Sequence, residues 1–431
     1  MAQRSREAEE SVDAPVRRLG VVEICAGAGG QSLGLEHAGF DHELAVELDG
    51  NAAATLRHNR ESWEVAVGDV ANSEVWRPAD YQGIDLFAGG VPCPPFSIAG
   101  RQLGALDERD LFAWAVEQVS VIKPRALLLE NVRGLSTPRF AGYRQHVLDR
   151  LAELGYVADW TVLNASDFGL AQLRPRFVLV ALRPEDARYF RWPEPLAPAP
   201  TVGEALHPLM GSDGWKGVAR WAARANKVGP TIVGGSKKHG GADLGPTRAK
   251  RAWAELGVNG LSVADQVPTA ADPTDLVPKL TLEMVARLQG WQGDEWEFVG
   301  GKTSKYRQIG NAFPPPVAEE VGNAILRALH RVGQARPEIE LETQLHDPVL
   351  RLLKSTNDFV SESEIAALGE QHHGRDASVE KHMTRLMRDF TIDVRRKRGT
   401  SYYRLIDFKA FVGQESHDRH DAFSRNRALI S

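Results

Sequence analysis

The stretch Val21-Val22-Glu23-Ile24-Cys25-Ala26-Gly27-Ala28-Gly29-Gly30 decides the fold of this chain. Its apolar first half predicts a buried strand, and its glycines predict a tight turn that leads into a helix over about residues 31–38. Glycines at such a turn permit positive φ angles and a close approach of a ligand to the backbone. We therefore expect a ligand-binding turn between the first strand and the first helix.

Strand-like and helix-like segments alternate through the first half of the chain. The strand candidates are residues 19–25, 42–47, 63–67, 84–88, 126–129, 156–163 and 177–182, and the helix candidates between them include residues 111–122 and 140–154. This alternation predicts an α/β fold in which helices cover both faces of a mostly parallel sheet.

The pattern changes near Arg183, and this change predicts a division into domains. Glycine- and proline-rich sequence runs from there to about Pro278, and helical patterns return over residues 281–288 and 316–329. Residues 1–18 are polar and charged, which predicts disorder. The predicted units are an α/β domain at 19–185, a smaller irregular domain at 186–278, a return segment at 279–333 that completes the α/β domain, and, after a linker, a compact module at 338–431.

Composition excludes several classes of protein. The 431 residues carry a net charge of −5 and include two cysteines, too few for a disulfide framework or a zinc-binding set. The sequence contains neither an apolar signal core nor a run of roughly 20 apolar residues, so we expect a cytoplasmic protein without a membrane partner. The net charge argues against a uniformly basic nucleic-acid binder but allows a local basic surface.

Two acidic residues follow the glycine turn at the ends of the next two strand candidates. Glu47 comes 20 residues after Gly27, where a carboxylate can accept hydrogen bonds from both ribose hydroxyls. Asp69 could accept one from an adenine amino group. Ribose and adenine occur both in S-adenosylmethionine and in NAD. A dinucleotide fingerprint needs glycine where this chain has Ser32, which favours S-adenosylmethionine.

Cys93 is presented in the manner of a nucleophile. It follows the strand candidate 84–88, and Pro92 and Pro94 on either side restrict the backbone. A stiff loop just past the carboxyl end of a strand is where open α/β sheets bind their ligands, and it is a poor place for a core cysteine.

An acid and two arginines are predicted beside this cysteine. Glu130 ends the strand candidate 126–129, where a carboxylate is costly unless it has a partner or a task. Arg174 and Arg176 share one side of the segment before the strand candidate 177–182 if that segment is extended. Together with Cys93 they form a set of nucleophile, acid and cationic clamp at one edge of the sheet.

Six segments in this chain resemble the motifs of DNA (cytosine-5)-methyltransferases, in the family's order, over roughly residues 19–330. They are Glu23–Gly30, Pro92–Ser97, Glu130–Val132, Gln172–Arg176, Lys279–Trp291 and Tyr306–Pro314. One such motif would be weak, whereas six in order are specific. The resemblance implies a Rossmann-like, S-adenosylmethionine-dependent catalytic domain at 19–185 and 279–333, with a target-recognition domain at 186–278.

The resemblance also implies a mechanism. Cys93, as a thiolate, would add to C6 of a cytosine flipped out of the duplex, and Glu130 would hold or protonate N3 of that base. Arg176 would bind the carbonyl O2, and Arg174 would orient Glu130. The residues implied to hold the methyl donor, S-adenosyl-L-methionine, are Glu23, Ala26, Gly27, Gly29, Gly30, Glu47, Asp69, Pro92, Asn311 and Ala312.

The chain departs from the family pattern near both ligands. The family usually has an aromatic residue, which packs on the adenine, at the position of Cys25, and Asp at the position of Glu23. We expect Cys25 to be a small buried filler and the adenine contact to be weaker or supplied elsewhere. Pro94 replaces the usual glutamine after the nucleophile and is expected to alter loop stiffness rather than chemistry.

Residues 215–251 form a local basic stretch, with nine Lys or Arg and a single acid, Asp243. In the family this region is the variable target-recognition domain, and its cations suit backbone phosphates and groove entry. The candidate DNA contacts are Lys237, Lys238, Arg248, Lys250 and Arg251.

Residues 338–431 lie outside the resemblance. Helix candidates at 348–354, 362–368 and 379–389 precede a strand pair at 390–394 and 402–406 around a basic turn. This order predicts a winged-helix-like α+β module. Its wing would bind phosphate, or its surface would bind a second copy or another partner.

The leading interpretation is a DNA cytosine-C5 methyltransferase of a modification or restriction–modification system, monomeric on double-stranded DNA. Two alternatives stay open: the tRNA-methylating branch of the family, and a catalytically silent DNA-binding regulator. The basic recognition segment and the added module argue against the first, and the intact set around Cys93 argues against the second. A cognate restriction endonuclease remains a candidate partner.

Overall fold

The computed structural model describes residues 18–91, 110–196, 198–235, 241–293, 295–337, 346–356, 358–373 and 378–408. Several residues singled out from the sequence lie outside these ranges, namely Pro92, Cys93, Pro94, Lys237, Lys238 and residues 1–17 of the amino-terminal segment. Among the described residues, no helix is long and apolar enough to cross a membrane.

A seven-stranded sheet forms the centre of a mixed α/β fold, as predicted. Its strands are β1 (Leu19–Ile24), β2 (Phe40–Glu47), β3 (Val65–Val67), β4 (Leu86–Gly90), β5 (Ala126–Val132), β6 (Val157–Asn164) and β7 (Pro175–Leu182). The spatial order is β3-β2-β1-β4-β5-β7-β6, and only β7 runs antiparallel to its neighbours. Since β7 is reversed, its first residues lie beside the last residues of β5, where Arg176 pairs with Val132.

Helices cover both faces of this sheet. On one face, α3 (Asp110–Ile122) and α4 (Ala141–Glu153) bury side chains such as Trp114 and Val147. On the other face lie α1 (Gly30–Ala38) and, from far along the chain, α11 (Pro315–Leu329). The helices α1 and α11 touch closely, because a β-carbon at Gly34 would lie 2.4 Å from the carbonyl oxygen of Pro315. The return segment therefore completes the layer that the first helix begins.

The region between the sheet and α11 is built from short helices and loops. Its helices are α5 (Pro184–Ala187), α6 (Val202–Met210), α7 (Val218–Arg224) and α8 (Thr247–Glu255), after which come α9 (Leu282–Gln289) and α10 (Lys302–Asn311). Buried tryptophans replace a sheet as its core: the indole N–H groups of Trp215 and Trp221 donate to the carbonyls of Pro273 and Gly257, and Trp253 is fully buried. The prediction of irregular structure therefore missed α6, α7 and α8.

A separate core forms near the end of the chain. It contains α12 (Pro348–Thr356), β8 (Val360–Ser361), α13 (Glu362–His373), α14 (Val379–Asp389), β9 (Phe390–Lys397) and β10 (Thr400–Phe408). The three strands form an antiparallel sheet in the order β8-β10-β9. The three predicted helices and the predicted strand pair are present, and β8 adds one short strand to them.

This terminal module docks onto α4, one of the helices that cover the seven-stranded sheet. Gln145 Oε1 accepts hydrogen bonds from the backbone N–H groups of His346 and Asp347, at 2.6 and 3.2 Å. The ring of His146 stacks 3.8 Å from the ring of Phe408 and meets Phe390 edge-on at 5.7 Å. The contact therefore combines two backbone hydrogen bonds with an aromatic cluster around one histidine.

This histidine makes the docking sensitive to acid. Burial, reinforced by the charge of Lys354, lowers the pKa of His146 to about 3. In the unfolded chain the same group has a pKa near 6.5, so below that pH the unfolded state binds a proton that the folded state does not. We expect the free energy of unfolding to fall by up to about 1.4 kcal/mol per pH unit between about pH 6.5 and 4 from this group, and to be independent of it above pH 7.

Thermal unfolding followed across pH checks this expectation. His146→Phe keeps an aromatic ring against Phe390 and Phe408 but cannot be protonated, so it should flatten the acid-side loss. A residual slope is expected from His346, whose pKa is also lowered by burial. An unchanged pH profile in the variant would contradict the assignment.

Candidate active site

A cleft of about 190 Å³ opens at the carboxyl edge of the sheet. The glycine turn after β1, the ends of β2, β4 and β5, and one side of α10 line it. The predicted site residues that line this cleft are Glu23, Ala26, Gly27, Gly30, Glu47, Glu130, Asn311 and Ala312. Among the described residues, no cluster of His, Cys, Asp and Glu could hold a metal ion.

The glycine turn has the backbone conformation that its sequence suggests. Gly27 and Gly29 adopt φ angles of 58° and 91°, which L-residues rarely adopt. Gly29, however, does not line the cleft: a β-carbon there would lie 2.3 Å from the ring of Trp296. The indole N–H of Trp296 also donates to the carbonyl of Ala28 at 2.9 Å. Gly29 therefore makes room for a tryptophan that holds the turn from outside, and no sequence signal singled out that tryptophan.

Glu47 is held at the floor of the cleft by the backbone. Its Oε2 accepts from the N–H of Gly27 and its Oε1 from the N–H of Asp49, both at 2.7 Å. Burial raises the pKa of Glu47, and these backbone hydrogen bonds oppose part of that rise. Because each carboxylate oxygen has a second lone pair, Glu47 can still accept hydrogen bonds from a ligand's hydroxyl groups.

Two other predicted acids are placed differently from the expectation. Glu23 borders the cleft but is fully buried, and its two oxygens contact Nε2 of Gln31 at 3.3 Å and Nε2 of His42 at 2.9 Å. It supports the turn from beneath rather than presenting an open carboxylate. Asp69 does not line the cleft, and its Oδ1 accepts from the N–H of Ala71 at 2.9 Å.

The expectation that Cys25 is a small buried filler was wrong. Cys25 is only partly buried and lines the cleft. Its φ angle is 52°, in the left-handed region that residues other than glycine, asparagine and aspartate seldom occupy. The cysteine therefore belongs to the cleft wall, where a bulky aromatic side chain would be strained by the same backbone conformation.

Glu130 and Arg176 form a buried ion pair at the cleft's inner end. Glu130 Oε1 lies 2.8 Å from Arg176 Nε, and both side chains are about 10 % exposed. Burial raises the pKa of Glu130, and the positive charges of Arg176 and Arg174 offset part of the rise. A carboxyl group with a raised pKa keeps its proton to a higher pH than an ordinary glutamate, which suits it to donating a hydrogen bond.

Arg174 does not make the contact that was expected of it. Its guanidinium donates to three main-chain carbonyls, those of Ile232, Gly310 and Ala312, at 2.7 to 2.8 Å. Within the described residues, Arg176 and not Arg174 pairs with Glu130. Arg174 instead ties residues 198–235, which include Ile232, to the end of α10 beside the cleft.

Gln172 works with Arg174 at the same junction. Its Oε1 accepts from the N–H of Ile232 at 2.7 Å, and its Nε2 donates to Leu288 O and Gln289 Oε1, both at 3.0 Å. The side chain is fully buried, so each of these hydrogen bonds would be costly to lose. Gln172 and Arg174 thus join distant parts of the chain, whereas Arg176, the next alternate residue of the same segment, holds Glu130.

Asn131 acquires a role that the sequence did not predict. Its Nδ2 donates to the carbonyl of Val91 at 3.1 Å, and the residue is buried. Val91 is the last described residue before the segment that contains Cys93. Asn131 therefore anchors the entry to that segment from the strand that carries Glu130.

Two glycines bring residues 198–235 against α10. A β-carbon at Gly310 would lie 2.5 Å from the Cα and 2.6 Å from the N of Gly234, and one at Gly234 would lie 2.5 Å from Oδ1 of Asn311. Backbone thus packs directly on backbone beside the residues that line the cleft. The contact sets how residues 198–235 are aligned with the cleft.

Gly310→Ala is expected to disturb that alignment. Alanine favours a helix over glycine by about 0.5–1 kcal/mol, but a methyl group against fixed backbone costs about 1–3 kcal/mol, so the clash dominates. We expect a lower unfolding temperature and, for the duplex DNA that the family resemblance implies as substrate, a raised KM. Gly301→Ala, at the other end of α10 with no atom within 4 Å of the new β-carbon, is the matched control. Equal KM values for the two variants would contradict this account.

The described candidate DNA contacts lie on α8. Arg248 and Arg251 are exposed and three residues apart, so they share one face of the helix. Lys250 instead pairs with Asp243 at 3.2 Å. The buried indole of Trp253 fixes α8 to the rest of its region. The helix therefore presents two exposed cations, Arg248 and Arg251, that form no ion pair with a described residue.

Comparison with known proteins gives a consistent picture. Residues 19–327 match the family model described as C-5 cytosine-specific DNA methylase. The chain is 60% identical over 417 residues to the Type II methyltransferase M.NaeI of Lentzea aerocolonigenes, covering 96% of this chain and 100% of that protein. It is 48% identical over 314 residues to the Type II methyltransferase M.NgoMIV of Neisseria gonorrhoeae, covering 72% of this chain and 98% of that protein.

A solved structure shares the fold. The crystal structure of a Spodoptera frugiperda DNMT2 mutant aligns with a TM-score of 0.51 and 15% sequence identity, over 72% of this chain and 99% of that one. The likeness is one of architecture.

Proposed function

Because this chain belongs to the family of C-5 cytosine-specific DNA methylases, we propose that it transfers a methyl group from S-adenosylmethionine to C5 of a cytosine within a specific sequence of double-stranded DNA. The observation that carries the proposal is the placement of the Glu130–Arg176 pair at the inner end of the cleft formed by the glycine turn and Glu47. A group that recognises a base thus adjoins a site suited to an adenosyl ligand.

The cleft fits the methyl donor by its donor and acceptor set. Glu47, fixed by two backbone hydrogen bonds, keeps lone pairs for the two ribose hydroxyls. Main-chain groups of Ala26–Gly30, with Asn311 and Ala312 opposite, would hold the amino-acid end. Bound there, S-adenosylmethionine would supply an electrophilic methyl group. Pro92 and Asp69 stay assigned to its surroundings by the family resemblance.

The residues of the chain would then act on the base. Cytosine C6 is inaccessible inside a duplex, so the base must leave the stack. The Cys93 thiolate would add to C6, which forms a C–S bond and makes C5 electron-rich enough to take the methyl group. The bond from the methyl group to the donor's sulfur would break as the bond to C5 forms, and its electron pair would stay on that sulfur. Loss of the C5 proton to a base and elimination of the thiolate then restore the aromatic ring and the free Cys93.

Glu130 and Arg176 would stabilise the base during addition. Attack at C6 builds negative charge on N3 and O2, and a neutral carboxyl at N3 relieves it by donating a proton or a hydrogen bond. The raised pKa of Glu130 suits that donation. Arg176 would hold Glu130 in place and face the carbonyl O2, so it takes over the orienting role first expected of Arg174.

The domain roles follow from this assignment. Residues 19–185 and 279–333 would form the catalytic domain, 186–278 the target-recognition domain, and 338–431 a winged-helix module. The order helix, strand, two helices and two strands at 348–408 supports the last assignment. Arg248, Lys250 and Arg251, with Lys237 and Lys238, are the proposed phosphate and base contacts.

The relatives suggest the biological setting. M.NaeI and M.NgoMIV are named Type II methyltransferases. We infer that this chain modifies host DNA within a restriction–modification system in the bacterial cytoplasm, where a cognate endonuclease would recognise the same sequence.

Bisulfite sequencing of DNA from a host that expresses the chain tests this function. The expected result is conversion-resistant cytosine at one position of a single short sequence. Full conversion everywhere, with methyl label entering tRNA instead, would overturn the DNA assignment. DNA with 5-fluorocytosine at the target should trap the enzyme covalently, because fluorine cannot leave C5 as a proton does. Binding without trapping would indicate a silent regulator.

A further inference from the structure

We propose that the carboxyl-terminal module is a second binding site for duplex DNA, which contacts phosphates outside the recognised sequence. The site is one face of α14 together with the tip of the β9–β10 hairpin, and we call it the module's basic surface. Its members are Lys381, Arg385, Arg388, Arg396, Lys397 and Arg398. The choice of duplex DNA as occupant rests on the proposed function, but the site lies outside the family match at residues 19–327.

The α14 part of this surface is a stripe of cations. Lys381, Arg385 and Arg388 are spaced by four and three residues, so they lie on one side of the helix, and all three are exposed. Met383 and Leu386 bury the opposite side. In the described part of the chain, none of the three cations forms an ion pair, so the stripe is not neutralised by the protein itself.

The hairpin presents its cations at some conformational cost. Arg398 and Gly399 adopt φ angles of 51° and 83° between the paired residues Lys397 and Thr400. This is a two-residue turn with positive φ at both central positions, for which asparagine followed by glycine is preferred. An arginine in the left-handed region at the tip is less stable than asparagine would be, which favours a role for its charge.

The flanking arginines show that the hairpin is held firmly. The guanidinium groups of Arg395 and Arg404 lie 4.1 and 4.7 Å from the ring centre of Phe359, and Arg404 contacts Asp393 at 3.3 Å. Arg396, Lys397 and Arg398 form no ion pair with any described residue. The hairpin thus combines an anchored base with a tip whose charges are unpaired.

The α14 part of the basic surface lies close to the edge of the sheet that carries the active-site cleft. The strand β5 carries Glu130 to that edge and ends at Val132, and six residues later Pro138 begins the turn that precedes α4. Pro138 and Arg139 line a cleft of about 230 Å³ whose other wall includes Lys381 and Arg385 of α14. A duplex bound over the carboxyl edge of the sheet can therefore extend toward α14.

The positive charge of the basic surface favours duplex DNA as its occupant over a neutral or acidic surface of another protein. Residues 378–408 contain eight Lys or Arg and four Asp or Glu, within a chain of net charge −5. An apolar docking face would be expected for a protein partner, whereas six cations that form no ion pair with a described residue suit a row of phosphates. The contacts would raise affinity without reading bases, since phosphates carry no sequence information.

Point variants of the full-length chain test the site through the salt dependence of DNA binding. Lys381→Gln with Arg385→Gln removes two charges from exposed helix positions with a good helix-forming residue. The matched control is Lys123→Gln with Arg327→Gln. Both residues are exposed cations at the amino edge of the sheet. At this edge Arg125, which precedes β5, donates a hydrogen bond to the carbonyl oxygen of Leu329 at the end of α11. A labelled duplex longer than the recognition sequence is titrated at several salt concentrations.

We expect the α14 variant to bind roughly three- to tenfold more weakly at low salt. The slope of log affinity against log salt should fall by about one for each phosphate contact removed. The rate of methyl transfer at saturating DNA should not change, because none of these residues lines the active-site cleft. The control pair should match the wild-type chain in affinity and slope.

Arg398→Asn separates charge from folding. Asparagine tolerates the left-handed conformation better than arginine, so the unfolding temperature should stay equal or rise while DNA affinity falls. Unchanged affinity and salt slope in both module variants would overturn the proposal and assign the surface to a protein partner. If the wild-type chain binds duplex without methylating it, the proposed function fails, but the slopes still decide the module's role.

Discussion

Cys93→Ala is expected to abolish methylation of DNA while binding of S-adenosylmethionine persists. The addition to C6 requires a thiolate, and alanine offers no group that can form the bond. Removing a covalent nucleophile typically lowers turnover by on the order of 10⁴-fold or more. The described residues that line the cofactor cleft belong to other segments, so the variant should still bind the methyl donor.

The chain provides its own control for this experiment, because Cys25 is the single other cysteine. Cys25→Ser should still be trapped covalently by 5-fluorocytosine DNA, since Cys25 belongs to the turn after β1 and the proposed nucleophile is Cys93. Cys93→Ala should give no trapped complex. Calorimetric titration with S-adenosylmethionine measures the binding that is expected to survive. Full turnover by Cys93→Ala would remove the assignment of the nucleophile.

Glu130→Gln is expected to lower the rate of methyl transfer by about 10²–10⁴-fold, the usual contribution of a positioned acid. Glutamine keeps the shape and can donate a hydrogen bond to N3, but it cannot transfer a proton. It also removes the carboxyl group whose Oε1 lies 2.8 Å from Nε of Arg176, so this buried guanidinium loses its partner. The change therefore removes both the acid and the partner of the clamp.

The pH dependence distinguishes an acid from a purely structural carboxylate. Because burial raises the pKa of Glu130, the protonated form persists to higher pH than in an ordinary glutamate and is lost as pH rises through that value. Single-turnover rates of the wild-type chain should therefore fall on the alkaline side, and this limb should be absent in Glu130→Gln. An alkaline limb that persists unchanged in Glu130→Gln would show that the carboxyl group is not the acid.

Most of the sheet was predictable because its strands are locally encoded. Each is a short apolar run bounded by turn residues, and burial on both faces of a mostly parallel sheet requires such runs. The polar helices α2 (Gly50–Asn59) and α10 were not predicted. Their helical state depends on packing, as in α10, where Tyr306 and Ile309 are buried against residues distant in the chain.

The candidate site was predictable in its members and less so in their contacts. Glu47 and Glu130 lie at strand ends, and a parallel sheet necessarily gathers such ends at one edge. Trp296 and Asn131 were missed because a side chain's hydrogen bond to a distant carbonyl leaves no mark on local sequence. Cys25 was misjudged because its exposure follows from the path of the turn rather than from its size.

The sequence by itself determined the fold class, the order of the strands along the chain and the set of groups at the carboxyl edge, since all of these follow from local apolar runs and the residues that end them. Only the tertiary structure decided which arginine meets Glu130. Because β7 runs antiparallel beside β5, Arg176 lies in register with Val132 and reaches the acid. Arg174 precedes β7 and therefore lies outside the paired strands. There its guanidinium donates to the carbonyl oxygens of Ile232 and Gly310, which are 58 and 136 residues away in the chain.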